Sequence, residues 1–181
     1  MHASLCDLIT DLVQNSFEAG ATEITLNIEE TEKNLNVIIA DNGKGMSAET
    51  LEKAKDPFYS DGLKHQHRKV GLGLPFLFQT AETTGGDARI ESEENVGTTI
   101  SLNLDPNNVD LPMFGNFATA AVTLMTYGFN GNLAIKRSVN GKSYEVSKNE
   151  LVDALGDLND LESLTLLKQF IASQEEELGT L

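Results

Sequence analysis

DLVQNSFEAGATEITLNIEETEKNLNVIIADNGKGM, residues 11–46, is the passage on which the fold turns. It opens inside an apolar helical period. Leu5, Leu8, Ile9, Leu12, Val13 and Ser16 recur on one broad face of residues 2–19, with Phe17 at its margin. Asp7, Asp11, Asn15 and Glu18 gather on the opposite side, within about 80° of one another at about 100° per residue. Gly20 stops the helix. Residues 21–29 then alternate, with Ile24, Leu26 and Ile28 on one side. Residues 29–34 turn the chain, and residues 35–40 make a second, more continuously apolar strand. This order predicts a helix laid over an antiparallel pair.

Outward from there, Asp41-Asn-Gly-Lys-Gly-Met46 breaks the pattern with two glycines directly after a buried-type strand. Ser47 is an N-cap for a short helix over 48–55. Residues 56–70, DPFYSDGLKHQHRKV, follow neither period and read as a long loop. Gly71-Leu-Gly-Leu74 opens an apolar helix that ends near Thr84, before Gly85-Gly86, and Pro75 is tolerated in its first turn. Residues 88–92 and 98–104 form a hairpin. The densest turn signal, Asp105-Pro-Asn-Asn108 with Pro112 and Gly115, places a boundary at 108. It divides a first domain, 1–108, from a small α+β extension, 109–181, which reads either as a partner-docking module or as a cover for the sheet. In the extension, 117–127, 130–139 and 144–147 read as strands, the last after the hairpin signal Asn140-Gly141. Helices follow at 149–156 and 160–177, the second striped by Leu161, Leu164, Leu167, Phe170 and Ile171.

A chain of 181 residues buries enough surface to fold without disulfides, and its single cysteine, Cys6, excludes an intramolecular disulfide scaffold. No apolar run approaches the roughly 18 residues of a membrane helix. Residues 2–12 carry Asp7 and Asp11 without a basic flank, unlike a secretory signal, so cytoplasm is the expected compartment. A formal charge of −15 argues against long nucleic acid and anionic membrane as partners. One local exception stands out. Residues 56–70 set Lys64, Arg68 and Lys69, with His65 and His67, against Asp56 and Asp61 alone.

Asp11 and Asn15 stand at i,i+4 on one helical face, offering a carboxylate and an amide carbonyl suited to water and Mg²⁺. Taken alone, such a pair usually just faces solvent. Asp41 at a strand end can accept from a ligand's exocyclic amine or simply form a turn. Gly71 and Gly73 let backbone approach a ligand, and the N–H groups opening the next helix point at any bound anion. A basic loop just before them suits a phosphate cover or an ordinary solvated loop. His65 and His67 lack a third ligand and do not make a metal site.

Their order narrows the choice. The chain resembles the ATPase superfamily shared by sensor histidine kinases, DNA gyrase, MutL-type mismatch-repair proteins and the ninety-kilodalton heat-shock chaperones. DLVQNSFEAGA, residues 11–21, resembles the first motif, with Asn15 in the place of its magnesium-binding asparagine. DNGKGM, residues 41–46, resembles the second, whose aspartate reads the adenine amino group. That role carries to Asp41, with Gly43 and Gly45 beside it. DPFYSDGLKHQHRKVGLGL, residues 56–74, is similar to the kinase branch's phenylalanine box, lid and glycine motif. It implies nucleotide contacts for Phe58, Lys64, Lys69, Gly71, Leu72, Gly73 and Leu74. GTT at 97–99 resembles the final strand motif, with Thr98 the better match for a nucleotide-side hydroxyl.

Two departures bear on the reaction. Asp11 stands where the repair and chaperone branches carry a water-activating glutamate, and it is one methylene shorter. Glu18 stands where many histidine kinases carry a basic residue. The first motif is therefore repair-like and the lid kinase-like. With the first motif beginning at residue 11, no dimerisation hairpin bearing a phosphoacceptor histidine is expected ahead of it, and 109–181 is short for a transducer domain. The resemblance implies a two-layer α/β sandwich, a mixed, mostly antiparallel sheet covered on one face by helices. It also implies a stand-alone Mg-ATP-binding regulatory protein, a kinase or slow ATPase with Asp11 as general base, acting with a separate protein partner or phosphoacceptor. The alternative is a non-catalytic interaction module whose lid is ordered by nucleotide.

Overall fold

In β1 (Glu23–Glu30), Ile24, Leu26 and Ile28 are buried, while Thr25, Asn27 and Glu29 stay exposed. This alternation sets the two faces of the whole sheet. The computed structural model describes residues 4–55 and 73–179 of the chain. β1 runs antiparallel to β2 (Leu35–Asp41) across a turn tied by Thr31, whose Oγ1 accepts the Asn34 N–H at 3.0 Å. β2 pairs with β4 (Gly97–Leu104), and β4 with the edge strand β3 (Asp87–Glu93), all antiparallel.

On the far side of β1 lies β5 (Asn132–Val139), and this pairing is parallel. β6 (Lys142–Ser147) completes the order β3-β4-β2-β1-β5-β6. Asn140 and Gly141, at φ 48° and 85°, make the left-handed turn between β5 and β6 that their sequence announces. The turn-rich stretch after β4 thus does not separate two sheets. Strands from both sides of residue 108 share one sheet and one apolar core.

Six helices complete the described residues: α1 (Leu5–Glu18), α2 (Ala48–Lys55), α3 (Gly73–Thr84), α4 (Phe117–Met125), α5 (Lys148–Leu155) and α6 (Leu161–Leu178). The sheet's apolar residues, among them Leu26, Ile39, Ile100 and Ile135, are buried with them. Residues of the other parity, such as Thr25, Asn27, Lys136 and Glu145, are exposed. The architecture is a two-layer α/β sandwich, mixed and mostly antiparallel. α1 starts on a capping box: Ser4 Oγ accepts the Asp7 N–H at 3.2 Å, and Asp7 Oδ2 accepts the Ser4 N–H at 2.9 Å. Among the described residues no helix is long and apolar enough to cross a membrane.

Two expectations fail. Residues 117–125 form α4, not a strand. Asn116 Oδ1 accepts the Thr119 N–H at 2.9 Å, and Phe117, Ala120, Ala121, Leu124 and Met125 bury at helical spacing. Nearly apolar all round, α4 packs against both α1 and α6. In α6, Leu161 is 80% and Phe170 41% exposed. The buried line instead runs through Ser163, Leu167, Ile171, Glu175 and Leu178. Two polar contacts set that rotation: Ser163 Oγ donates to Leu155 O at 2.6 Å, and Glu175 Oε1 accepts from Tyr144 at 2.7 Å.

Glu175 belongs to a buried charge cluster. Arg137 of β5, fully buried, donates to Glu30 Oε2 at 2.7 Å and lies 3.8 Å from Glu175 Oε2. Its guanidinium sits 4.6 Å from the centre of the Phe114 ring. Burial, reinforced by the Glu175 carboxylate, pushes the Tyr144 hydroxyl well above the usual tyrosine range. The cluster joins β1, β5, β6 and α6.

Candidate functional site

The exposed face of α1 reaches the start of α3. Asp11 and Asn15 are both exposed. Gly73, the first residue of α3, is packed so closely to them that a Cβ there would lie 3.5 Å from Asn15 Nδ2 and 3.8 Å from Asp11 Cβ. Leu12 Cδ2 borders the same space at 3.4 Å, so the start of α3 sits in van der Waals contact with this face of α1. The backbone that opens α3 at Gly73 therefore lies beside Asn15 and Asp11 of α1.

Asp41 ends β2 on the helix-covered side. Both of its oxygens are held: Ser16 Oγ donates to Oδ2 at 2.6 Å, and Gly43 N–H donates to Oδ1 at 2.8 Å. Ser16 is 3% exposed, so the carboxylate is oriented by a donor shielded from water. Asn42 clips the turn between α1 and β1, where its Oδ1 accepts from the N–H groups of Thr22 and Glu23, each at 2.9 Å. Lys44 N–H donates to Ala19 O at 3.0 Å. Strand, turn and helix end are thus bound into one unit.

Thr98 lies opposite Asp41 on β4, and the pleat sends it to the same face, with Thr99 on the other. Thr98 Oγ1 is 2.8 Å from Ser92 Oγ, which also accepts the Met46 N–H at 2.9 Å. Gly97, at φ 143°, comes against the Asp41 carbonyl, where a side chain has no room. Gly45 packs against the Glu93 carbonyl at the β3–β4 turn. Leu74 is half-buried against the core.

The structure thus brings together Asp11, Asn15 and Gly73 in one place, and Asp41, Gly43 and Thr98 in another, joined by the last turn of α1. Phe58, Lys64, Lys69, Gly71 and Leu72 lie outside the described residues. Sequence reasoning missed Ser16, Asn42 and Ser92. Ser16 had a signal: a lone hydroxyl in an otherwise aliphatic stripe. Asn42 and Ser92 act through contacts between distant segments, which no periodicity shows. A hollow of about 170 Å³ bordered by Ser4, Leu8, Gln79 and Thr83 sits at the opposite end of α1 from Ser16 and touches none of these groups.

Residues 2–108 match the family described as histidine kinase-, DNA gyrase B-, and HSP90-like ATPase. The chain belongs to this family. The ATPase domain is 32% identical over 104 residues to the histidine protein kinase DivJ of Caulobacter vibrioides. It is 32% identical over 103 residues to the sensor histidine kinase WalK of Bacillus subtilis. These stretches cover 56% and 55% of this chain, and the chain spans 17% of the length of each relative. A solved N-terminal domain of a DNA repair protein is similar in fold, at TM-score 0.55 and 15% identity, over 90% of this chain and 59% of its own. That likeness extends beyond the residues matched by the ATPase family and so takes in part of the extension.

Proposed function

We propose that this ATPase domain binds Mg-ATP between the end of α1, the paired ends of β2 and β4, and the start of α3. In this reading it serves as a kinase or slow ATPase for a separate protein partner. The observation that carries the reading is the doubly held Asp41, gripped by Ser16, the residue that follows Asn15 of the Asp11–Asn15–Gly73 contact. A carboxylate fixed at both oxygens keeps lone pairs in a constant direction, which suits recognition of the adenine amino group.

Asn15 offers a hard oxygen donor on an exposed face beside Asp11, a donor type that fits Mg²⁺. The ion supplies positive charge to the phosphates when bound. The backbone opening at 71–74 receives phosphate, Lys64 or Lys69 compensates its charge, and Phe58, Gly45 and Thr98 border the nucleotide. Asp11 holds the attacking water as general base. Its short side chain predicts turnover below the usual enzyme range of about 1–10³ s⁻¹.

Calorimetric titration and steady-state phosphate release on the same preparations test the proposal. Asp41→Asn should weaken ATP and ADP alike, by about 1–3 kcal/mol. Asp11→Asn should slow phosphate release with nucleotide affinity largely kept. Unchanged affinity in a folded Asp41→Asn protein would remove the adenine assignment. Tight binding with neither released phosphate nor labelled partner would leave the other reading, a nucleotide-ordered interaction module, which the shortness of Asp11 favours.

A further inference from the structure

The last turn of α1 is gripped from outside the ATPase family's residues. Phe17, next to Ser16, stacks on Tyr127 with ring centres 4.5 Å apart and planes 14° apart. The Phe129 ring lies 4.4 Å away at 30°. Lys148, the first residue of α5, secures both aromatics: its Nζ donates to Tyr127 O at 2.7 Å and sits 4.3 Å from the Phe129 ring centre. Past α1, the same segment holds the turn into β1. Asn132 N–H donates to Thr22 O at 2.8 Å, and Gly131 lies against Thr22.

Between these two grips lie the groups that orient Asp41. Ser16 donates to it, and Asn42 clips Thr22 and Glu23. A hydrogen bond of 2.6 Å with a buried donor tolerates little displacement of the helix end that carries it. We propose that residues 127–132 of the extension, through the Tyr127–Phe17–Phe129 clamp, are positioning residues for adenine recognition. They hold Ser16 in register with Asp41. The inference rests on the reading of Asp41 as the adenine contact, and it makes the extension a means of tuning that contact. A ring clamp that merely padded the core would weaken every nucleotide alike. One that acts through Ser16 and Asp41 would weaken those bearing the exocyclic amine.

The test uses the full chain and two nucleotides, ATP and inosine triphosphate, which carries a carbonyl in place of that amine. Wild type should prefer ATP. Phe129→Ala and Tyr127→Ala should lower the preference by roughly tenfold, about what one hydrogen bond to a charged group contributes. Tyr127→Phe, which keeps the ring, should restore it. Ser16→Ala should reproduce the loss, and adding Phe129→Ala to it should lower the preference little further, because both act on one contact. If either alanine variant fails to fold by near-ultraviolet circular dichroism, Phe129→Leu is read by the same criteria. An unchanged preference, an equal loss for both nucleotides, or additive losses with Ser16→Ala would overturn the proposal. A wild type that does not distinguish the two nucleotides would instead overturn the reading of Asp41 on which it rests.

Discussion

Cys6 is 4% exposed on the buried face of α1, and burial pushes its thiol up to about 12, with the Arg137 charge pulling the other way. The unfolded chain releases that proton near the ordinary thiol value of about 8.5. A folded-state value above the unfolded one means that the contribution to stability is complete below the unfolded value. It is lost as pH rises from there toward the folded value. Urea midpoints should therefore fall between pH 8 and pH 10, and Cys6→Ala should reduce the fall. Since the thiolate is the nucleophile, iodoacetamide at pH 8.5 should label Cys6 in urea and leave the native protein unlabelled. Labelling of the native protein at the unfolded rate would contradict the burial. At this scale the sequence is most legible where one residue's role is written in its own position. Asp41 and Asn15 stand out by place, whereas Ser16 becomes meaningful only when β2 is laid beside α1.

Elements were readable where a single period dominated. α1, β1 and β2 follow their apolar spacing closely, and the Asn140-Gly141 turn needs two left-handed residues that its sequence supplies. The sequence of α4 points to a strand because a short apolar run carries both periods, and only the Asn116 cap and the packing against α1 and α6 decide between them. The α6 stripe was rotated for a related reason: Glu175 looks like a surface residue until Arg137 and Tyr144 meet it. That cluster makes its own prediction. Arg137→Met would leave Glu175, 2% exposed, without its nearby guanidinium, and should cost about 3–5 kcal/mol in urea unfolding. Arg137→Met with Glu175→Gln should regain part of the loss, because the fully buried carboxylate is then neutral and only the part-exposed Glu30 loses its partner. Additive losses would show that the two residues stabilise α6 independently.

Across the whole molecule, the apolar patterns predicted the helix-on-sheet layers, but nothing in them disclosed that β5 joins β1 in parallel. That pairing links segments about a hundred residues apart, and strand periodicity carries no information on which neighbour a strand takes. Its consequence is that residues 2–108, the part matched by the ATPase family, are not the whole of the core. β1 pairs along its full length with β5, with Ile24 opposite Leu133 and Leu26 opposite Ile135. α4 covers α1 and is itself covered by α6. Without residues 109–181, β1 becomes an open edge, and α1 loses the cover of α4, whose Phe117, Leu124 and Met125 are each at most 3% exposed. Burying one such side chain contributes about 1.5–3 kcal/mol, and a domain is stable by about 5–15 kcal/mol in total. The fragment 1–108 should therefore lack a cooperative urea transition, bind a hydrophobic dye and fail to retain ATP, while the full chain does the reverse. A sharp transition in the fragment, with ATP affinity equal to that of the full chain, would make the extension an addition to a self-sufficient domain. Cooperative folding with weakened affinity would separate two roles, leaving the family's residues able to form the core and the extension needed to set the helix end that holds Asp41.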